Sequence, residues 1–263
     1  MLNIDVFPGG ETANLGQFPW MALLGYTQRF VDFVEYLCGG TIITETYVLT
    51  AAHCLTIEIN RQLVSVRLGE HDLQSDKDCE TIDKYTICAD DPVDIPVENY
   101  TMHPDYDPVK LRNDIALVRV KEKIRFTSYI QPICLPFERH LRDRDMTNQV
   151  FTISGWGKTQ SRKLGGSPTL QFAAVRVWDQ SECNKVIPPE TPNCVQIVKD
   201  RTPAKVIAGG PLTNATLDLD EELRNFQVGI VSFASTRTCG VEELPPIYTR
   251  IDAFLEWIAE NVT

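Results

Sequence analysis

Short β-prone runs, broken every few residues by turn-forming clusters, constrain this chain more than any other feature. Trp20–Leu24, Thr41–Ile43, Tyr47–Thr50, Val64–Leu68 and Ile115–Val120 occupy the first half, with Phe151–Ser154, Gln171–Val177 and Phe226–Val231 following. Gly, Pro, Asn and Asp cluster between them, the pattern of an all-β barrel or sandwich. Only the end reads helical: from Ile251 the chain places Phe254, Leu255, Trp257, Ile258 and Val262 at helix-like spacing. Residues 72–98 are the most irregular stretch, acidic and proline-containing, with Cys79 and Cys88 inside it. A segment this long without evident structure reads as a surface insertion. No tandem repeat interrupts the pattern.

The chain of 263 residues is long enough for one large core or two smaller ones. Hydrophobic residues are 43% and charged residues 23%, a globular balance. Twenty-five Lys and Arg against 36 Asp and Glu leave a net charge of −11, which argues against a phosphate-binding groove and so against nucleic acid as a partner. No apolar run approaches the roughly 20 residues that span a bilayer, so a membrane is not an expected partner either.

Eight cysteines are dispersed without a Cys-x-x-Cys pair, and the four histidines show no metal-ligand spacing. Dispersed, even-numbered cysteines fit disulfides and an oxidising compartment. The sequons at Asn99, Asn214 and Asn261 point the same way, to a secreted glycoprotein. Residues 1–6 lack the charged and apolar pattern of a secretion signal and read as a leader or the start of a fragment, ahead of a domain over 7–263.

Several blocks carry more than fold information. Cys38-Gly39-Gly40 is followed by Leu49-Thr50-Ala51-Ala52-His53-Cys54, then by Arg112-Asn113-Asp114-Ile115-Ala116-Leu117 and Ile153-Ser154-Gly155-Trp156-Gly157. Ala208-Gly209-Gly210-Pro211-Leu212 precedes Gly229-Ile230-Val231-Ser232-Phe233 and Ile247-Tyr248-Thr249-Arg250. In this order the blocks resemble the chymotrypsin-like (S1) serine protease domain from about Val6 to Val262. The resemblance implies an all-β fold of two six-stranded antiparallel barrels, subdomains at roughly 7–125 and 126–263. It also implies a cleft between them and a C-terminal helix.

The family's chemistry needs a hydroxyl nucleophile, an imidazole base and a carboxylate that orients the imidazole. His53 matches the base position and Asp114 the carboxylate. The nucleophile loop of the family reads Gly-Asp-Ser-Gly-Gly-Pro, whereas this chain reads Val206-Ile207-Ala208-Gly209-Gly210-Pro211. Ala208 has no oxygen, and loss of the nucleophile in a triad enzyme costs about 10⁶ in turnover. The triad positions His53, Asp114 and Ala208 therefore read as vestigial, and no cofactor is required.

The flanks separate natural loss from a single disabling substitution. Ile207 replaces the acid that pairs with a newly cut N-terminus in the family, and Val206 replaces a glycine of the oxyanion hole. Phe7-Pro8-Gly9-Gly10 stands where the family has Ile-Val-Gly-Gly, with no Lys or Arg in residues 1–6. Both ends of the activation ion pair are gone together, as decay of catalysis predicts. Thr202 and Ala204 align where trypsin-like members carry a specificity Asp and a Cys.

By the family pattern Cys38 bridges Cys54 and Cys183 bridges Cys194. A cross-link closing about 15 residues stabilises by roughly 3 kcal/mol in the chain-entropy model. Cys79–Cys88 would staple the acidic insertion, which looks like that of arthropod clip-domain proteases. In those proteins the cysteine of a Gln-Pro-Ile-Cys-Leu-Pro segment bridges to a clip-bearing light chain. Cys134 matches it, leaving Cys239 unpaired; a Cys134–Cys239 bond is the alternative. Gly69-Glu70-His71-Asp72 opens the loop that binds calcium in many relatives. Glu70 and Asp72 with Glu80 or Asp94 could ligate Ca2+; a solvated acidic loop without an ion is the equal alternative.

The resemblance implies a non-catalytic serine protease homologue that binds proteins of an extracellular cascade: proteases, zymogens or prophenoloxidase-like targets. In an arthropod this means haemolymph innate immunity and melanisation. One rival is a Ser-to-Ala form of an active trypsin-like endopeptidase. Another is a module on the same fold that binds glycans or microbial surfaces.

Overall fold

The computed structural model describes residues 10–28, 31–57, 60–110, 112–157, 167–177, 207–233 and 247–263. Fourteen strands dominate them. In chain order these are β1 (Glu11–Thr12), β2 (Met21–Gln28), β3 (Val31–Ile42), β4 (Tyr47–Thr50), β5 (Arg61–Leu68), β6 (Cys79–Ile82) and β7 (Tyr85–Cys88). They continue as β8 (Val93–Met102), β9 (Ala116–Val120), β10 (Val150–Gly155), β11 (Gln171–Arg176), β12 (Pro211–Leu217), β13 (Leu223–Phe233) and β14 (Ile247–Arg250). Helices are short: α1 (Arg139–Arg142) and α2 (Leu255–Asn261).

A closed antiparallel barrel runs β2-β3-β4-β9-β8-β5. Its wall forms because β-branched and leucine side chains point inward from every strand. Leu24, Ile42, Leu49, Leu68, Ile95 and Leu117 are buried, each worth roughly 1.5–3 kcal/mol of burial. The turn into β4 is set locally, since Thr44 Oγ1 accepts from the amides of Thr46 and Tyr47. A second antiparallel sheet of six strands runs β1-β11-β10-β12-β13-β14, open between β1 and β14 among the described residues. Phe151, Ile153, Val175, Leu212, Val231 and Tyr248 form its core.

Both chain ends cross over. Glu11 and Thr12 pair with Phe172 and Gln171 of the second sheet. At the other end Ile251, Phe254, Leu255 and Ile258 pack into the core of the first barrel. The helical pattern from Ile251 is realised in two pieces, a 3₁₀ turn at Asp252–Phe254 and then α2, with Val262 beyond the helix end.

The stretch read as irregular, 72–98, is not a plain loop. β6 and β7 form a separate hairpin within it, and Val93–Glu98 begin β8, which closes the barrel between β5 and β9. Alternation conceals this strand because, of its first six residues, only Ile95 is buried. Pro96 is tolerated because its carbonyl, not a missing N–H, is used, accepting from Lys121 N at 2.9 Å.

Candidate active site with an alanine at the nucleophile position

His53 sits in a 3₁₀ turn (Ala52–Leu55) directly after β4. That turn is tied down twice: Cys54 is disulfide-bonded to Cys38 of β3, and Tyr26 Oη donates to Cys54 O at 2.8 Å. Asp114 enters from the segment before β9. Asn113 adopts φ +53°, a left-handed conformation that Asn tolerates, with its amide donating to Asp105 O at 2.8 Å. The reversal turns Asp114 inward, where its side chain is fully buried.

The buried carboxylate is shared. His53 Nδ1 lies 2.7 Å from Asp114 Oδ2, and His53 N donates to Oδ1 at 2.8 Å. The second sheet supplies Ser232 Oγ to Oδ2, and Thr249 Oγ1 donates to the Asp114 carbonyl at 2.9 Å. Tyr106 is pushed up to about 12 by its own burial and then by the Asp114 charge. With Nδ1–H committed to Asp114, Nε2 is the free base position, 3.7 Å from Cys54 Sγ.

The third position comes from the second sheet. Gly209 holds φ +79°, and a Cβ there would stand 2.3 Å from Thr50 Oγ1 and 2.5 Å from Gly39 O. Only glycine fits this approach, which presses residue 208 against the first barrel. Gly39 N donates to Ala208 O at 2.7 Å, and the Ala208 methyl packs on the first-barrel core. Base and orienting carboxylate are thus present, and residue 208 offers them no hydroxyl. Ile207 is half-buried in the cluster of Trp20, Trp156 and Leu170. Its Cγ2 fills the space beside Gly39, Gly155 and Gly210.

The candidate calcium ligands are not brought together. Arg67 stands between two of them, donating to Glu70 Oε2 at 3.2 Å and to Asp94 Oδ2 at 2.6 Å. Asp72 Oδ2 accepts from Thr169 Oγ1, and Glu80 Oε2 from Leu15 N. The residue that gathers the loop is Asp78, whose buried carboxylate accepts from His71 N, Asp72 N and Ser75 Oγ. Burial, then the Asp78 charge, raises the Glu70 carboxyl above its ordinary value. A guanidinium already placed between Glu70 and Asp94 does not fit a divalent ion there. Among the described residues the one cluster of ligand atoms is Cys38, His53 and Cys54, and its two sulfurs are bonded to each other.

Cys79 and Cys88 form the second disulfide, across β6 and β7. Cys134 has no disulfide partner among the described residues and lies beside a groove of about 480 Å³ that Phe137, Phe226 and Ile258 help to line. Asn99 is exposed on β8, whereas the side-chain amides of Asn214 and Asn261 donate to Val150 O and Trp257 O. Cys183, Cys194, Cys239, Thr202, Ala204 and Val206 lie outside the described residues. Ser232, Asp78 and Arg67 were not picked out from sequence. Ser232 lies in the quoted Gly229–Phe233 block, a signal that could have found it; the other two have none.

A His–Asp pair in one antiparallel barrel, completed by a Gly-Gly turn and a serine from a second sheet, defines the chymotrypsin-like class. A family model described as Trypsin matches residues 7–258. The chain belongs to the trypsin family. It is 34% identical over 264 residues to CLIP domain-containing serine protease B9 of Anopheles gambiae, covering 97% of this chain and 62% of that protein. It is 36% identical over 263 residues to Phenoloxidase-activating factor 3 of Holotrichia diomphalia, covering 97% and 72%. The crystal structure of the Drosophila Grass clip serine protease of the Toll pathway superposes with TM-score 0.82 at 34% identity, covering 98% and 72%. The relatives are clip-domain serine proteases, and the chain spans about two thirds of their length. Among the described residues no helix is long and apolar enough to cross a membrane.

Proposed function

We propose that this chain is a non-catalytic serine protease homologue, which acts by binding as a cofactor or regulator of an extracellular protease cascade. The observation that carries this reading is the methyl group of Ala208, beside an otherwise assembled His53–Asp114 pair. A base without a hydroxyl to deprotonate cannot begin acyl transfer. Ile207 supports loss by descent over a single disabling change, because an apolar side chain packed among Gly39, Gly155 and Gly210 replaces the family's acid.

The relatives support the setting. Phenoloxidase-activating factor 3 and Spaetzle-processing enzyme carry cascade steps in their names, and Grass is assigned to the Toll pathway. The partners proposed are therefore proteases, zymogens or prophenoloxidase-like targets, and the compartment is extracellular. Cys134 is the proposed attachment point for a clip-bearing light chain.

The test is a reconstituted prophenoloxidase or Toll-type cascade with and without the purified protein. Conversion of the terminal substrate should change with its dose, while a fluorophosphonate probe leaves it unlabelled. Covalent labelling would return the chain to the active endopeptidases. Unchanged conversion in every such cascade would remove the cofactor role.

A further inference from the structure

The β6–β7 hairpin forms a sheet of its own, paired with no other strand among the described residues. Its register sets Cys79 opposite Cys88, Glu80 opposite Ile87, Thr81 opposite Thr86 and Ile82 opposite Tyr85. Because strand side chains alternate, the two faces are chemically different. One carries the Cys79–Cys88 disulfide and the threonines, whose hydroxyls lie 3.3 Å apart. The other carries Glu80 with Ile82, Tyr85 and Ile87, and these three apolar residues are 52%, 77% and 48% exposed.

Exposed tyrosine between two isoleucines, on a ribbon already stapled by a disulfide, has the make-up of a binding hot spot with little ordering left to do. A two-stranded ribbon is also incomplete as a sheet; a third strand would supply the pairing it lacks. β6 is the strand tied to the body of the protein, since Glu80 Oε2 accepts from Leu15 N at 3.2 Å. The outer edge of β7 is the one left to extend.

Charge selects the occupant. Between residues 72 and 91 seven Asp or Glu stand against Lys77 and Lys84. Asp76, Asp83, Asp90 and Asp91 are exposed in the same segment. A second copy would bring the same acids and another net charge of −11 to the contact. An anionic lipid surface is repelled for the same reason. We infer that β7 is the docking edge for an extended segment of a partner protein that alternates apolar residues with Lys or Arg. The segment adds as a third strand, its apolar side chains extending the face of Ile82, Tyr85 and Ile87 and its cations, at alternate positions, drawn to the exposed acids of the segment. This surface shares no residue with His53, Asp114 or Ala208, so it stands or falls separately from the loss of catalysis.

The experiment is selection from a displayed library of random peptides on the purified protein, counter-selected on the double variant Tyr85→Asp/Ile87→Asp. Both changes are on exposed positions, and an unchanged melting curve confirms the variant as a folded control. Enriched peptides should alternate apolar and basic residues and lose at least about tenfold in affinity on the double variant. The affinity should fall as NaCl is raised, and hydrogen exchange at residues 85–88 should slow on binding. Four results would overturn the inference. Peptides could be recovered equally on the variant, or could be acidic or unpatterned. Sedimentation could show self-association that the variant abolishes, or the protein could bind phosphatidylserine vesicles through this hairpin.

Discussion

Ser232 donates its hydroxyl to Asp114 Oδ2 at 2.5 Å, so the carboxylate that orients His53 is itself held from the second sheet. The orienting half of the machinery persists beside a residue that cannot use it. Adding the missing oxygen should therefore reveal what else has been lost. Ala208→Ser is expected to label with a fluorophosphonate at least a hundredfold more slowly than an active clip-domain protease, roughly the effect of one lost oxyanion donor. The rate constant of labelling measures this. A variant as reactive as the relatives would mean that serine was the single missing part.

Arg67 supplies a positive charge where the family resemblance would place calcium, paired with Glu70 and Asp94. The melting temperature should not change with EDTA or with millimolar calcium. Arg67→Ala leaves the buried Glu70 carboxylate beside Asp78 without its cation and should cost about 1–3 kcal/mol, discounted for the partial exposure of the guanidinium. Calorimetry with and without calcium decides the point, and a calcium-dependent wild-type melt would count against it.

Asp78 is the knot of the acidic loop, buried and accepting from His71, Asp72 and Ser75. Asp78→Ala should destabilise by about 1–3 kcal/mol, the cost of leaving these donors unpaired. The effect should be local. Amide exchange at 71–75 is expected to rise sharply while the barrel strands keep their protection.

His103 has its pKa lowered by burial, partly offset by Asp105, and its ring packs on Phe254 and Trp257. Its Nδ1 accepts from Asp105 N at 3.2 Å, which requires the neutral ring. The unfolded chain takes up the proton first as pH falls from the ordinary value of 6.5. The neutral ring's contribution is therefore complete above 6.5 and is lost on acidification through that value toward the lower folded one. A fluorescence change of Trp257 with a midpoint below 6.5 should disappear in His103→Gln. A midpoint at or above 6.5 would reverse the sign.

The sequence revealed the fold best where side chains answer to a core. Tyr47–Thr50 is a strand with the bounds its β-prone run marks, because all four residues are buried. Val93–Met102 was hidden because most of its residues face solvent and it contains Pro96. The hairpin at 79–88 was hidden for a related reason: its apolar residues have no core to face. His53 and Asp114 were legible because each sits in a long motif. Ser232 lies 118 residues from the carboxylate it holds, and the Gly229–Phe233 block that contains it marks its position without naming its partner. Asp78 and Arg67 were silent, since an acid among acids and an arginine on a strand look ordinary until the loop folds around them.

The exchanged termini give the molecule the construction of a buckle. Glu11 and Thr12 are stitched to the far sheet, while Phe254, Leu255 and Ile258 are wedged into the near barrel. Pulling the halves apart means peeling a strand and extracting a helix at once. A nick between the halves would leave both pieces clasped.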